Sequence, residues 1–444
     1  MTSIARIRPE ERVRWVLLAL LFFMNAVVVE SNDVVATSGF VSNVGPDQIL
    51  WVWAADMFVV MLTSGAYSLV VDRTKRDMLT VGLFAAFSLA YLVLFLLFLF
   101  RVSDWIAYPL LTVINDQQWL VLPIALWALA NDFFAVAEAK RLFPLLGLVA
   151  LAGSVSGNAL IASLARWLGK QTLGSVRLLV LNSGLLLLMA ATLALIRRRL
   201  NITTRQSRQD EKVLDTLREG LDFVREVPSY RYLCVAMVLL GIGLNVVEYQ
   251  LIAGASQAYS QVASLETFFA VVRAIRTVVL FLLQGLAANW LLKRLDFKRI
   301  FTIMPIALFS GLALAFAWPS LIGVVIGEYL ARMTLQGIDE PARRAFLGLV
   351  PDERRGRVSA FMEGYLYPAG SILSCLIVQG VLIAVRQHLL AQQVGRALYF
   401  GLAGVCTAVA LWAIIRFRAH YDVSMLNWRL RRRQRKSILS NLEL

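Results

Sequence analysis

The sequence predicts an all-α membrane protein with twelve transmembrane helices in two six-helix, pseudo-symmetric bundles. Three observations predict it. Hydrophobic residues make up 59% of the chain and charged residues 16%, a balance well outside that of ordinary soluble domains. Apolar windows close to the ~20 residues that a helix needs to cross a bilayer recur along the whole chain. They also divide six and six about one long polar stretch at 197–228.

In order, the windows are 13–37, 50–71, 78–100, 119–137, 142–166 and 176–196 before that stretch. After it come 229–254, 265–290, 299–317, 319–337, 357–385 and 396–416. The first run starts basic but continues past signal-peptide length into Glu30 and Asp33, so it reads as a span rather than a cleaved leader. Of the 44 Lys and Arg, 35 fall in segments that an inside N-terminus places in the cytoplasm and 6 in the outer loops. This positive-inside bias predicts that both termini are cytoplasmic. The net charge of +15 then reads as topology and attraction to anionic lipid, not as a nucleic-acid surface.

The predicted division is 1–196 for the N-terminal bundle, 197–228 for a cytoplasmic linker, 229–416 for the C-terminal bundle and 417–444 for a basic cytoplasmic tail. Within the linker, "VLDTLREGLDFVREVPSYRYL" has apolar residues at near-helical spacing, which predicts an amphipathic helix at the interface. This layout resembles that of major-facilitator transporters, whose halves are internal repeats. A faint echo fits it: "NDFFAVAEAKRLFPLLGLVALAGSVSGNAL" and "DEPARRAFLGLVPDERRGRVSAFMEGYLYPAGSIL" both run from an acid through a basic turn into a Gly-punctuated helix. Gly153 and Gly157, and Gly364, Pro368 and Gly370, are placed for close helix approach or for gating.

Cys234, Cys375 and Cys406 fall within windows and read as small buried apolar residues. His388 and His420 are the only histidines. No nucleophile–base pair, metal-ligand cluster or phosphate-cradling glycine loop is present in the sequence. The expectation is a non-enzyme with no cofactor and no metal.

The chemistry lies in charges placed where lipid makes them costly. Glu30 and Asp33, Asp56, Glu248, and Arg273 with Arg276 fall in the outer halves of spans; Asp132, Glu328, Arg332 and Glu363 fall deeper or further inward. Glu328 and Arg332 are i, i+4 with the acid first, the better orientation for an intrahelical pair. Arg273 and Arg276 share a face, as do Glu30 and Asp33. Two adjacent guanidiniums suit a phosphate or carboxylate, and they equally suit inter-helix pairing with Glu30, Asp33 or Glu248. The turn "SLVVDRTKRDML" supplies Asp72 and Arg73 as an acid and base that can brace neighbouring helices.

The stretch "LWALANDFFAVAEAKRLFPLLG" contains Trp127, Asn131, Asp132, Glu138, Ala139, Lys140, Arg141 and Gly147. It resembles the fourth-to-fifth-span signature of the ATP/ADP translocases of plastids and intracellular bacteria. "NVVEYQ" (Asn245, Glu248) resembles that family's seventh-span Asn-x-x-Glu, and "IDEPARRAFLGLVPDERRGR" its Asp339-led loop. The likeness extends over most of 15–420. It departs where the family has Lys-Asp in the first span and this chain has Asn32 and Asp33. A family lysine of the eleventh span falls near Pro368 and Ala369 here, and one of the seventh near Ile252.

The resemblance implies a facilitator-type secondary transporter in a bacterial inner membrane, in contact with lipid and moving an anionic organic solute, a nucleotide or related phosphate or carboxylate, by alternating access. The substrate residues it implies together with the charge reading are Asn32, Asp33, Asn131, Asp132, Asn245, Glu248, Arg273 and Arg276. Asp72, Arg73, Glu138, Lys140, Arg141, Glu328, Arg332 and Asp339 are the expected gating and turn residues. Glu138 to Arg141 are expected at the tight cytoplasmic turn between spans four and five. A membrane sensor or scaffold that anchors a cytoplasmic regulatory domain is the alternative, with "RRRQRKSILSNLEL" resembling the lead into such a domain.

Overall fold

The computed structural model describes residues 7–71, 74–170, 173–200, 221–222, 224–283, 297–347, 358 and 361–440. Every long element among them is helical, and no strand is present among the described residues. The chain divides into two compact units, Met1–Val213 with Leu251–Leu282, and Leu214–Gln250 with Leu283–Leu444.

The first unit contains α1 (Pro9–Asn43), α2 (Ile49–Val71), α3 (Arg76–Leu99), α4 (Asp104–Phe133), α5 (Val136–Leu168) and α6 (Leu178–Leu200). The last residues of α7 (Pro228–Ala258) and all of α8 (Val262–Leu282) cluster with it. Helix α1 is central: it packs on α4, α5, α6 and α8, while α3 packs on α4 and α6. Two glycines explain the tightest seam. A Cβ on Gly153 would lie 2.4 Å from the Phe23 carbonyl oxygen, and one on Gly157 would lie 2.7 Å from that of Val27. Only glycine lets α5 approach the α1 backbone so closely. Trp127 of α4 wedges between Phe22 and Phe143, at ring separations of 4.7 and 5.2 Å.

Two local readings need correction. Helix α4 starts at Asp104, well before the window at 119. The polar run Asn115, Asp116, Gln117 and Gln118 breaks the apolar signal there, yet Asn115, Gln117 and Gln118 all find hydrogen-bond partners inside the unit. Tyr91 donates to Gln118 Oε1 at 2.6 Å, and Gln118 Nε2 donates to Asn25 Oδ1 at 2.9 Å. Glu138 to Arg141 are not the turn between α4 and α5. They form the first turn of α5, where Glu138 Oε2 accepts from the Ala135 N–H at 3.0 Å. An acid three residues into a helix is well placed to satisfy a free N–H, so the turn itself falls at Phe134 and Ala135.

The second unit holds most of α7 with α9 (Ile303–Ala317), α10 (Leu321–Leu347), α11 (Met362–Arg386) and α12 (Gln392–Ser440). Helix α9 packs on α10 and α12, and α11 on α12. Helix α10 continues past its predicted end through a π-helical turn at Leu335–Asp339, and α11 opens with another at Met362–Leu366. Tyr230, Phe301, Phe346 and Phe417 form an aromatic cluster with ring separations of 4.7 to 5.9 Å.

Among the described residues, nine helices are long and apolar enough to cross a membrane. The twelve crossings expected from the windows are therefore not confirmed, although the all-α architecture is. The reasons are local: α4 carries the polar run, α8 carries Glu266, Arg273 and Arg276, and α9 has only 15 residues. Residues 201–220 of the predicted linker helix, Asp72 and Arg73 lie outside the described residues, as does the side chain of Lys140.

The α9–α10 seam gives a direct test. A Cβ on Gly311 would lie 2.5 Å from the Gly327 carbonyl oxygen. Gly311→Ala should therefore cost about 1–3 kcal/mol through overpacking and lower the melting temperature of the detergent-purified chain. Gly401→Ala, whose Cβ meets nothing within 4 Å, should leave it unchanged; equal melting of the two variants would contradict the seam.

Candidate functional site

The first unit is built around a buried polar core. Helix α1 is mostly apolar, but Asn25, Glu30, Ser31, Asn32, Asp33 and Thr37 interrupt it. Each finds a partner on another helix or on α1 itself. Asn32 is fully buried and accepts from Asn182 Nδ2 of α6 at 2.6 Å. Glu30 accepts from Asn158 Nδ2 of α5 at 2.9 Å. Asp33 accepts from Arg273 Nη1 of α8 in an ion pair, and Thr37 donates to its other oxygen at 3.3 Å.

Helix α8 presents its bases to that face. Arg273 Nη2 also donates to Thr37 Oγ1 at 3.3 Å, and its guanidinium lies 5.8 Å from the Phe269 ring centre. Both Arg273 and Arg276 lie within electrostatic reach of Glu30. The i, i+3 bases of α8 thus face the i, i+3 acids of α1, the geometry expected when each pair occupies one helical face. Two turns earlier on α8, buried Glu266 accepts from Ser175 Oγ at 2.7 Å. Glu266 borders a cavity of about 520 Å³ that Asn43, Arg101, Asp104 and Tyr108 also line.

Asp116 belongs to this core and the windows missed it. It lies within electrostatic reach of Asp56 on α2, Asp33 and Arg273. Gln117 Nε2 donates to Asp56 Oδ1 at 3.2 Å. The signal was present in "INDQQWLVLP", where four polar residues in a row precede a continuing apolar run.

Other predicted residues lie elsewhere. Asp132, in the last turn of α4, accepts from Arg76 Nη1 at 2.9 Å. It lies sixteen residues beyond Asp116, or about 24 Å along a helix, and so is not brought to Arg273. Asn131 is exposed and donates to the Trp127 carbonyl oxygen of its own helix at 3.0 Å. Two further ties join α1 to the end of α4 and the start of α5. Arg141 pairs with Glu11 at 2.5 Å, and Arg14 donates to the Phe133 carbonyl oxygen at 2.6 Å.

In the second unit Glu248 pairs with Arg332, whose Nε also stands 3.9 Å from Glu328 Oε1. The i, i+4 spacing thus identified one acid of a three-member cluster, and the nearer partner comes from another helix. Asn245 donates to the Ser371 carbonyl oxygen at 3.2 Å. Asp339 pairs with Arg343 at 2.7 Å inside the π-helical turn region of α10.

Comparison with known proteins matches this arrangement to transporters. Among solved structures, the nucleoside transporter NupG superposes with a TM-score of 0.63 at 12% identity, over 92% of this chain and 98% of that one. A bacterial homologue of the iron transporter ferroportin, in an inward-facing state, gives 0.65 at 16% identity, over 93% and 100%. A POT family transporter in complex with 5-aminolevulinic acid gives 0.62 at 10% identity, over 90% and 96%. At these identities the likeness establishes the fold, an all-α major-facilitator arrangement. No curated protein sequence matches the chain. The family model described as TLC ATP/ADP transporter matches residues 48–324, from the start of α2 into α10 and through the α8 arginines. The chain is an integral, multi-pass membrane transporter and belongs to the TLC ATP/ADP transporter family.

Proposed function

We propose that this transporter moves an anionic organic solute, a nucleotide or a related phosphate or carboxylate, by alternating access. The observation that carries the reading is the placement of Arg273 and Arg276 on one face of α8, against the acids of α1. A guanidinium forms strong charge-assisted bonds with carboxylates and phosphates alike. A solute anion can therefore take the place of Asp33 on Arg273, leaving the one-third-exposed Asp33 carboxylate to water and the Thr37 hydroxyl. Where related translocases have a first-span lysine, this chain has Asn32, and the α8 arginines supply the cationic contacts instead. Asp132, Glu248, Asn131 and Asn245 then serve the transport cycle from their own clusters, and Arg76, Arg141 and Arg332 brace them.

In this reading the chain functions as two six-helix bundles, 1–196 and 229–416, joined by the 197–228 linker. Both termini lie in the cytoplasm, and the membrane is a bacterial inner membrane. Membership of a transporter family favours this over a membrane scaffold.

Transport is measured as exchange of labelled ADP or ATP by the full chain in proteoliposomes. Arg276→Ala should reduce exchange about ten- to a hundredfold, the worth of one hydrogen bond to a charged group. Exposed Arg344→Ala should leave exchange intact; equal exchange by wild type and Arg276→Ala would overturn the site. Orientation has its own test. A Ser42→Cys chain with its native thiols blocked should react with a membrane-impermeant maleimide added outside intact cells, and reaction only after permeabilisation would invert the topology.

A further inference from the structure

Glu266 is the acid of α8 that the anion reading does not use. It stands two turns before Arg273, about 10 Å along the helix. The residue is 2% exposed, and its Oε2 accepts from Ser175 Oγ at 2.7 Å. Among the described residues Oε1 meets no hydrogen-bond donor, and no base forms an ion pair with the carboxylate. A buried carboxylate is costly unless a cation or further donors meet it. Glu266 instead borders the cavity of about 520 Å³, a volume typical of small-molecule pockets.

The cavity lies wholly within the first unit, among the end of α1, the α3–α4 turn, the start of α4, the run before α6 and the start of α8. Its wall is a fitted one. A Cβ on Gly39 would collide with the Tyr108 ring, so glycine is what lets that ring lie on the α1 backbone. The Phe98 ring centre stands 4.8 Å from that of Tyr108, and Asn43 Nδ2 donates to the Tyr108 hydroxyl at 3.3 Å. The hydroxyl oxygen keeps a second lone pair and lies within electrostatic reach of Glu266 and Asp104. Asp104 and Arg101 are exposed at the rim, and neither has an ion-pair partner among the described residues. Two acids and one base thus leave the lining with an excess of negative charge.

We propose that this cavity binds a small organic amine in its ammonium form. An ammonium group carries three N–H donors. The lining offers three acceptors: Glu266 Oε1 deep in the cavity, the Tyr108 hydroxyl on its wall, and the Asp104 carboxylate at its rim. The bond to Glu266 is the strong one, because it is charge-assisted and out of water. Val35, Phe98 and Val176 receive the hydrocarbon part of the amine. A hard metal cation is the poorer occupant, since it takes about six or more oxygen ligands. No group of three or more His, Cys, Asp or Glu is placed to hold a metal among the described residues. The site shares no residue with the anion site and does not rest on it.

The test is the melting temperature of the detergent-purified full chain, titrated with n-butylammonium chloride at constant ionic strength. Butanol and sodium butyrate serve as the uncharged and anionic counterparts. The expected result is a saturable rise with butylammonium alone. Glu266→Gln removes the charge and keeps an oxygen for Ser175; it should weaken apparent affinity about ten- to a hundredfold, the worth of one hydrogen bond to a charged group. Asp104→Asn changes an exposed residue and should weaken it about threefold, as an exposed ion pair does. That variant locates the site even where Glu266→Gln fails to fold. No rise with butylammonium would overturn the proposal, as would an equal rise with butanol or butyrate. Wild-type affinity in Asp104→Asn, or in a folded Glu266→Gln, would also overturn it. A rise with CaCl₂ that abolishes the response to butylammonium would overturn it in favour of a metal cation.

Discussion

The ion pair between Asp33 of α1 and Arg273 of α8 is the interaction on which the first unit depends. Helix α1 runs through the unit and touches four neighbours, so a charge at its centre must be met there or the packing fails. Arg273 is largely buried while Asp33 is about one-third exposed, so removing Asp33 strands the guanidinium and removing Arg273 leaves the carboxylate partly to water. The sequence accepts that risk repeatedly. Around the pair stand Glu30 with Asn158, Asn32 with Asn182, and Gln118 with Asn25. A purely structural helix bundle gains little from such a network, since apolar residues of equal volume pack at least as well.

What distinguishes these charges is that each base has more than one partner within reach. Arg273 answers to Asp33, Thr37, Glu30 and Asp116, and Arg332 answers to both Glu248 and Glu328. A base with several acids in reach can change partner while its charge stays neutralised. The alternating access proposed for this chain needs this property, because helices must slide or rock without stranding a charge in a low dielectric. The glycine seams, Gly153 and Gly157 on α1 and Gly311 on Gly327, bring helix backbones into direct contact.

The apolar windows located most helices because lipid imposes length and hydropathy directly on sequence. They failed where function overrode that demand. The polar run Asn115 to Gln118 hides the first half of helix α4, so Asp116 lies outside the apolar window. Helical spacing showed correctly that Arg273 with Arg276 and Glu30 with Asp33 share faces. It could not say which faces meet, because that depends on long-range packing. Glu248 therefore turned out to pair with Arg332, and Asp132 with Arg76. The resemblance places Glu138 to Arg141 at the turn between spans; in the structure the acid caps α5 and Arg141 reaches Glu11, 130 positions earlier.

The central claim is that the Asp33–Arg273 pair belongs to a site that opens to an anion and is more than a strut between α1 and α8. Charge reversal separates the two. Melting temperatures of the purified chain, with and without ADP, would be compared for Asp33→Arg, Arg273→Asp and the two combined. The account predicts that each single variant melts low, that the combined variant regains most of the lost stability, and that ADP raises the melting temperature of wild type but not of the combined variant. If the combined variant regains its stability together with the full response to ADP, the pair is only a strut, and the account is contradicted.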